Sequence, residues 1–323
     1  MNRNYAAYAL KRILQAFVVI LLVYVFTFVV ISVLPGDPVT NTLRNPENGF
    51  SEADITRIAG YYGLDRPVYV QLWEALSRFV TGDLGLSLRS GLPVSRMIGE
   101  VLPSTLVLAS SALALALVLA LAIGFGSQYL PKRYGQGLLR TLPSLFSSVP
   151  TFVIGLVLIN VFAFQLGLFR VIDADGGPAT FFAALALSVP VAARIAEVLV
   201  AGLDHEARQE YVALARSRGL GQARLLLRHL LKPASLPVVS VVAVTVGELL
   251  GSTVITEMIF GRVGVGTLLR QSATTQDLPT LQAIVTLAAV VFVVVNLLSD
   301  LVYPLLDPRV KLAGRRERAE VAA

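Results

Sequence analysis

Long apolar runs with few charges alternate with short polar breaks along this chain, and the runs set its architecture. Six are long enough to cross a bilayer: 11–34, 102–130, 139–166, 178–201, 234–257 and 279–304. The first contains Ile13–Leu34, 22 residues without a charge. As a helix at ~1.5 Å per residue that is about 33 Å, against a hydrocarbon core of about 30 Å. Such a run is expected to remain as a span, because a cleavable signal has a shorter apolar part ending at small residues. The breaks fall where turn formers cluster: Pro35-Gly36-Asp37-Pro38, Pro131-Lys132-Arg133, Asp173-Ala174-Asp175-Gly176-Gly177 and Leu278-Pro279. The pattern predicts an all-α integral membrane protein with six transmembrane helices in a single domain, 1–323.

The segment 35–100 is too long for a plain connection and has a pattern of its own. Ser51 with Asp54 three residues on resembles a capping box, opening a helix that ends near Gly63. Pro67 suits the first turn of a second helix, with Tyr69, Leu72, Trp73, Leu76, Phe79 and Val80 on one apolar face and Gly82 as its stop. Such amphipathic helices suit a membrane surface, a partner protein, or simple packing on their own spans.

Composition agrees with the pattern. The chain of 323 residues is 55% hydrophobic and 15% charged, with mean hydropathy +0.72; a soluble domain carries about 25% charged residues. The absence of Cys removes disulfides and thiolate chemistry, and His205 and His229 are too few and too far apart for a metal site. The net charge of +6 comes from Lys and Arg beside apolar runs, which fits anionic lipid headgroups rather than nucleic acid. With the N-terminus inside, 17 Lys and Arg fall on the cytoplasmic side against 9 outside, with Arg194 left in a span. By the positive-inside rule both termini are then cytoplasmic, and so is the polar loop 202–233.

No GxxxxGK[ST] pattern occurs and no Gly-Lys pair exists, so the chain has no P-loop for a nucleotide. Catalysis by this chain is not expected. The strongest candidate for function is the basic interruption at 210–237, a helix, a Gly219-Leu220-Gly221 break and a second helix leading into a span. Tyr211, Leu214, Ala215 and Arg218 share one side of the first helix, and Ala213 and Ala215 keep it slim. A slim helix ended by glycine can enter a groove on another protein; it can equally rest on anionic lipid.

Within the spans, Glu248 costs about 2.5–3.5 kcal/mol on insertion scales if charged and exposed to lipid. It should line a cavity, where it could meet a cargo amine, or pair with a cation, or sit protonated between helices. Arg194 is the one basic residue inside a span, and Arg194 with Glu197 at i and i+3 suits a local pair.

The stretch Glu210-Tyr211-Val212-Ala213-Leu214-Ala215-Arg216-Ser217-Arg218-Gly219-Leu220 resembles the cytoplasmic coupling loop, the EAA loop, of ABC importer permeases. Leu226-Leu227-Arg228-His229 and Leu236-Pro237-Val238-Val239 are similar to the dipeptide/oligopeptide branch of that family. Further stretches agree in order: Leu34-Pro35-Gly36-Asp37-Pro38, Gly63-Leu64-Asp65-Arg66-Pro67, Gly82-Asp83-Leu84-Gly85-Leu86-Ser87, Glu257-Met258-Ile259-Phe260 with Gly264-Val265-Gly266, and Leu306-Asp307-Pro308-Arg309. The chain departs from the family pattern after Phe260, where an aromatic-Pro-Gly-Leu-Gly run is usual and Arg262-Val263-Gly264-Val265-Gly266 stands instead. It departs also at Glu248, where small residues are common, and in the acidic content of 194–209.

The resemblance implies a type I ABC importer permease fold in a bacterial or archaeal cytoplasmic membrane. It implies a second homologous permease subunit, two ATP-binding cassette ATPase subunits, an extracytoplasmic substrate-binding protein and membrane lipids as partners. The chain would hold no cofactor, ATP and Mg being bound by the ATPases, and the spans would work by alternating access. By position, Glu210, Tyr211, Ala213, Ala215, Arg216 and Gly219 would form the ATPase contact. Glu248, Glu257, Phe260 and Arg194 are the expected pathway or gate residues. The implied cargo is a dipeptide or oligopeptide; nickel chelates, glutathione or small glycans are alternatives within the same machine. A non-transporting membrane scaffold or channel is the alternative outside it. A proton-coupled carrier fits poorly with two largely charge-free spans and one deep Glu.

Overall fold

The computed structural model describes residues 3–33, 44, 49–63, 66–131 and 135–306. The turn Leu34-Pro35-Gly36-Asp37-Pro38, Leu64 and Asp65, Lys132 and Arg133, and the stretch from Asp307 with its basic residues Arg309, Lys311, Arg315, Arg316 and Arg318 lie outside the described residues.

Among the described residues the chain is all-helical, with one isolated antiparallel bridge between Leu86 and Pro93 and no strand. The helices are α1 (Arg3–Val33), α2 (Glu52–Tyr62), α3 (Val68–Val80), α4 (Val94–Tyr129), α5 (Gln136–Ser147) and α6 (Thr151–Gln165). They continue with α7 (Gly177–Ala207), α8 (Glu210–Ser217), α9 (Gln222–Ala234), α10 (Leu236–Phe260), α11 (Val265–Thr274) and α12 (Leu278–Leu306). Stretches of π-helix, Ile159–Gln165 and Leu226–Leu230, lie within α6 and α9.

Among the described residues four helices, α1, α4, α7 and α12, hold stretches long and apolar enough to cross a membrane, and three bent pairs raise the possible number to seven. The run 139–166 is not one straight helix: α5 and α6 meet at 104°. The break is at Ser148-Val149-Pro150, where Pro150 has no N–H to donate and drives Val149 away from the helical region. The other bends are 58° between α9 and α10, and 89° between Gly251–Phe260 and α11.

The chain divides into two compact units, one of Met1–Val107 with Thr253–Val293, the other of Leu108–Ser252 with Val294–Ala323. In the first, Ser51 caps α2, its hydroxyl accepting from the Asp54 N–H at 3.2 Å, and Gly63 closes it in the left-handed region at φ +60°. The α3 helix begins at Val68 after Pro67 and ends at Gly82, whose φ of +86° lets the Asp83 N–H return to the Arg78 carbonyl at 2.9 Å. Tyr24 of α1 stacks on Phe79 at 4.6 Å and donates to the Ala75 carbonyl at 3.0 Å, fixing α3 to α1. A second core joins Val94 and Ile98 of α4, Leu268 of α11, and Ala283 and Ile284 of α12.

In the second unit α7 is the central element. Its alanine-rich faces bury Ala183, Ala184, Ala192, Ala193 and Ala196. Small residues bring helices close. A side chain at Gly124 would meet Leu199 at 2.6 Å, and one at Gly202 would meet the Ala234 carbonyl at 2.9 Å. Phe162 of α6 stacks on Phe182 of α7 at 4.7 Å.

Candidate functional site

The segment expected to face a partner folds as α8, whose 8 residues fall short of the roughly 12–15 at which an isolated helix is even marginal in water, so it depends on its anchors. Val212 is the main anchor. It is 1% exposed and packs with Leu199 and Leu203 of α7 and Leu225, Leu226, Leu230 and Ala234 of α9, with Ala215 alongside. Burying one valine contributes about 1.5–3 kcal/mol. Tyr211 adds a polar tie, its hydroxyl donating to the Glu206 carboxylate at 2.6 Å. Partial burial, together with that acceptor carboxylate, pushes the phenol up to about 12.

The helix ends in a Schellman motif. Gly219 at φ +78° allows its own N–H to reach the Arg216 carbonyl at 2.9 Å and the Leu220 N–H to reach Ala215 at 3.2 Å. Open space surrounds the position where a Gly219 side chain would stand. Five of the six expected contact residues, Glu210, Tyr211, Ala213, Arg216 and Gly219, are exposed, and Ala215 is half-buried. The apolar side of α8 is therefore Val212 and Ala215, while Leu214, expected to share a face with Ala215, is exposed. The surroundings are cross-braced: Asp204 accepts from Arg140 and from Gln128, both at 2.8 Å, and Gln222 donates to the Gln128 carbonyl at 2.8 Å.

Arg194 does not pair with Glu197. It reaches Glu248 on α10, and Glu197 instead accepts from the Ser144 hydroxyl at 3.0 Å. Arg194 and Glu197 stand on the same helix, but the packing of α7 turns them toward different neighbours. The Arg194 and Glu248 side chains stay 42% and 45% exposed.

Glu257 and Phe260 fall in the other unit and are buried, Glu257 at 0% and Phe260 at 1%. One oxygen of Glu257 accepts from the Thr105 hydroxyl at 2.6 Å, the other from the Thr267 N–H at 3.1 Å. The carboxylate thus sits on the N-terminal turn of α11, where unpaired N–H groups and the helix dipole favour an anion. A side chain at Gly264 would lie 2.2 Å from that carboxylate, and one at Gly266 2.4 Å from the Val254 Cα. The Gly264-Val265-Gly266 spacing is what lets the chain turn tightly around Glu257.

Sequence reasoning missed three supports. Thr105, the hydroxyl partner of Glu257, carries no local signal. Val212 is signalled by its i, i+3 spacing to Ala215. Asp277 is signalled by its spacing to Thr280: it heads α12, accepts from the Thr280 hydroxyl at 2.8 Å, and takes the Ser87 hydroxyl at 2.5 Å and the Leu88 N–H at 3.0 Å.

Several helices long and apolar enough to span a bilayer, with a small helix packed on α7 and α9 and exposed on its other side, define a multi-pass membrane protein. Comparison with known proteins agrees. Residues 112–312 match the family described as binding-protein-dependent transport system inner membrane component, and residues 6–109 match the corresponding N-terminal family. The chain is 31% identical over 304 residues to the glutathione transport system permease protein GsiC of Escherichia coli (strain K12), covering 94% of this chain and 98% of the relative. The same values hold for GsiC of Shigella boydii serotype 4 (strain Sb227). The chain belongs to this family of ABC importer permeases and is a multi-pass protein of the bacterial inner membrane.

Proposed function

We propose that this permease forms half of the translocation pathway of an ATP-driven importer of small peptides, and that α8 seats on a cytoplasmic ATPase. The observation that carries the reading is the anchoring of α8: Val212 is locked to α7 and α9 while Glu210, Tyr211, Ala213, Arg216 and Gly219 face outward. A push on that face passes to two spanning elements, as a ligand-biased two-state transporter needs. The excess of Lys and Arg in 202–233 and at the termini supports a cytoplasmic position for all three. A second permease completes the pathway, a binding protein delivers the cargo, and partner ATPases bind ATP and Mg. The named relatives are glutathione permeases, and glutathione is itself a small peptide, so it is the first cargo to test.

Gly219→Trp places bulk on the exposed end of α8, where space is open. In proteoliposomes with the ATPases and binding protein, cargo-stimulated ATP hydrolysis and uptake should be lost while the permease remains folded. Normal stimulation and uptake would overturn the docking assignment. Competition between glutathione and a dipeptide for uptake decides the cargo.

Arg194 and Glu248 are the pathway residues in this reading. A half-exposed ion pair within spans is costly against hydrocarbon and so turns to water or to another chain. Glu248→Gln should change the apparent cargo affinity or the uptake rate; no change in either removes the pathway role.

A further inference from the structure

Phe79 of the apolar face of α3 packs on Tyr24, but among the described residues nothing covers a second line along that face. Tyr69, Trp73 and Val80 recur at i, i+4 and i+11, one line along the helix, and are 74%, 71% and 71% exposed. The polar side of the same helix is occupied: the Arg78 guanidinium lies over the Tyr61 ring of α2 at 4.4 Å and donates to the Tyr61 carbonyl, and Glu74 pairs with Arg66. Tyr61 in turn donates to Asp83 at 2.6 Å. Polar groups are thus satisfied within the loop, and the aromatic line is left outward.

The depth of that line is set by α1. The apolar part of α1 runs Tyr8–Ile31, and α3 is fixed to it at Tyr24 through Phe79 and Ala75. Tyr24 lies seven residues before Ile31, about 10 Å along a helix. Interfacial helices bury their apolar faces by about 5–10 Å at the headgroup boundary, the level where Trp and Tyr are enriched. An aqueous position for α3 would leave the stripe wet while its anchor sits inside the apolar length of a span.

We propose that α3 is an interfacial anchor, with Tyr69, Trp73 and Val80 inserted among phospholipids at the C-terminal end of α1. The occupant of the stripe is lipid, not a protein partner. The anchor would hold the loop 49–94 down on the membrane and fix where its outer surface stands. The proposal is independent of the cargo and of the ATPase contact.

Trp73 is the only tryptophan in the chain, so its emission reports this site alone. The full chain is reconstituted in phosphatidylcholine/phosphatidylglycerol vesicles carrying bromines high on the acyl chain, or near the bilayer centre, with iodide as the aqueous quencher. Most of the emission should be lost to the high bromines, less to the central ones, and little to iodide. The same measurement on the assembled importer, taken as the difference from Trp73→Phe, should keep this order. Tyr69→Gln with Val80→Gln should shift Trp73 emission to the red with helix content unchanged. Full iodide quenching without a bromine effect overturns the proposal. So does a bromine effect that vanishes on assembly, which would assign the stripe to a protein partner.

Discussion

Two glycine-marked turns of this molecule, the one after α8 and the one between α10 and α11, look alike on paper and are built in opposite senses. Each follows a helix bearing a Glu and an aromatic residue. Gly219 turns with empty space beside it, and the neighbouring side chains point outward. Gly264 and Gly266 turn around a buried carboxylate that a side chain at either position would strike. One turn is an open surface; the other is a closed knot that holds itself together. The difference lies in where Glu sits: Glu210 is exposed, and Glu257 is consumed by the N-terminal turn of α11.

The sharpest way to break this contrast is Glu257→Leu. It strips the acceptor from the Thr105 hydroxyl and the Thr267 N–H. Each orphaned buried donor costs about 1–3 kcal/mol, so a large fall in the unfolding midpoint in detergent is expected. An unchanged midpoint would mean that the carboxylate does not hold the turn. Next comes Gly266→Ala, which sets a methyl 2.4 Å from the Val254 Cα. Overpacking of that kind costs about 1–3 kcal/mol, read in the same melt.

Gly219→Ala should cost less, about 1–2 kcal/mol from the left-handed backbone alone, since no atom is struck. The loss should be confined to the end of α8, visible as faster amide exchange at Gly219 and Leu220 with the global melt unmoved. The smallest effect belongs to Tyr211→Phe. The exposed bond to Glu206 should contribute at the low end of about 0.5–1.5 kcal/mol. The folded phenol is raised from 10.0 to about 12, so its protonated form is favoured by folding. Its contribution is therefore full below pH 10 and fades as pH rises through about 12. The wild-type and Tyr211→Phe melts should keep a constant gap across neutral pH and converge only in that alkaline window.

Much of this was legible in the sequence where the cause is local. Uninterrupted apolar length announces the spans, and the caps at Ser51, Gly63, Gly82 and Gly219 follow from short-range hydrogen bonding and backbone freedom. What escaped depends on partners distant in the chain. Pro150 marks a break but not the 104° at which α5 and α6 meet, both of them packed on α7. Arg194 has Glu197 three residues away and pairs with Glu248, 54 residues away, because helix rotation decides which carboxylate it meets. The α11 helix is short and polar, and its first turn is completed by Glu257 from the preceding helix, an acceptor held in place by the Thr105 hydroxyl 152 residues away.

The Arg194–Glu248 pair has a mechanical consequence. α8 ties α7 to α9 at one level through Val212, and the ion pair ties α7 to α10 at another. With α9 continuing into α10 across the bend at Ser235, these ties close a triangulated frame. A frame with a cross-member resists shear, so a force on α8 should displace it as a body. Removing the cross-member with Arg194→Leu and Glu248→Leu together would leave both ends in place and let the frame skew. Force would still be received at α8, and less of it would arrive at the far end of the spans.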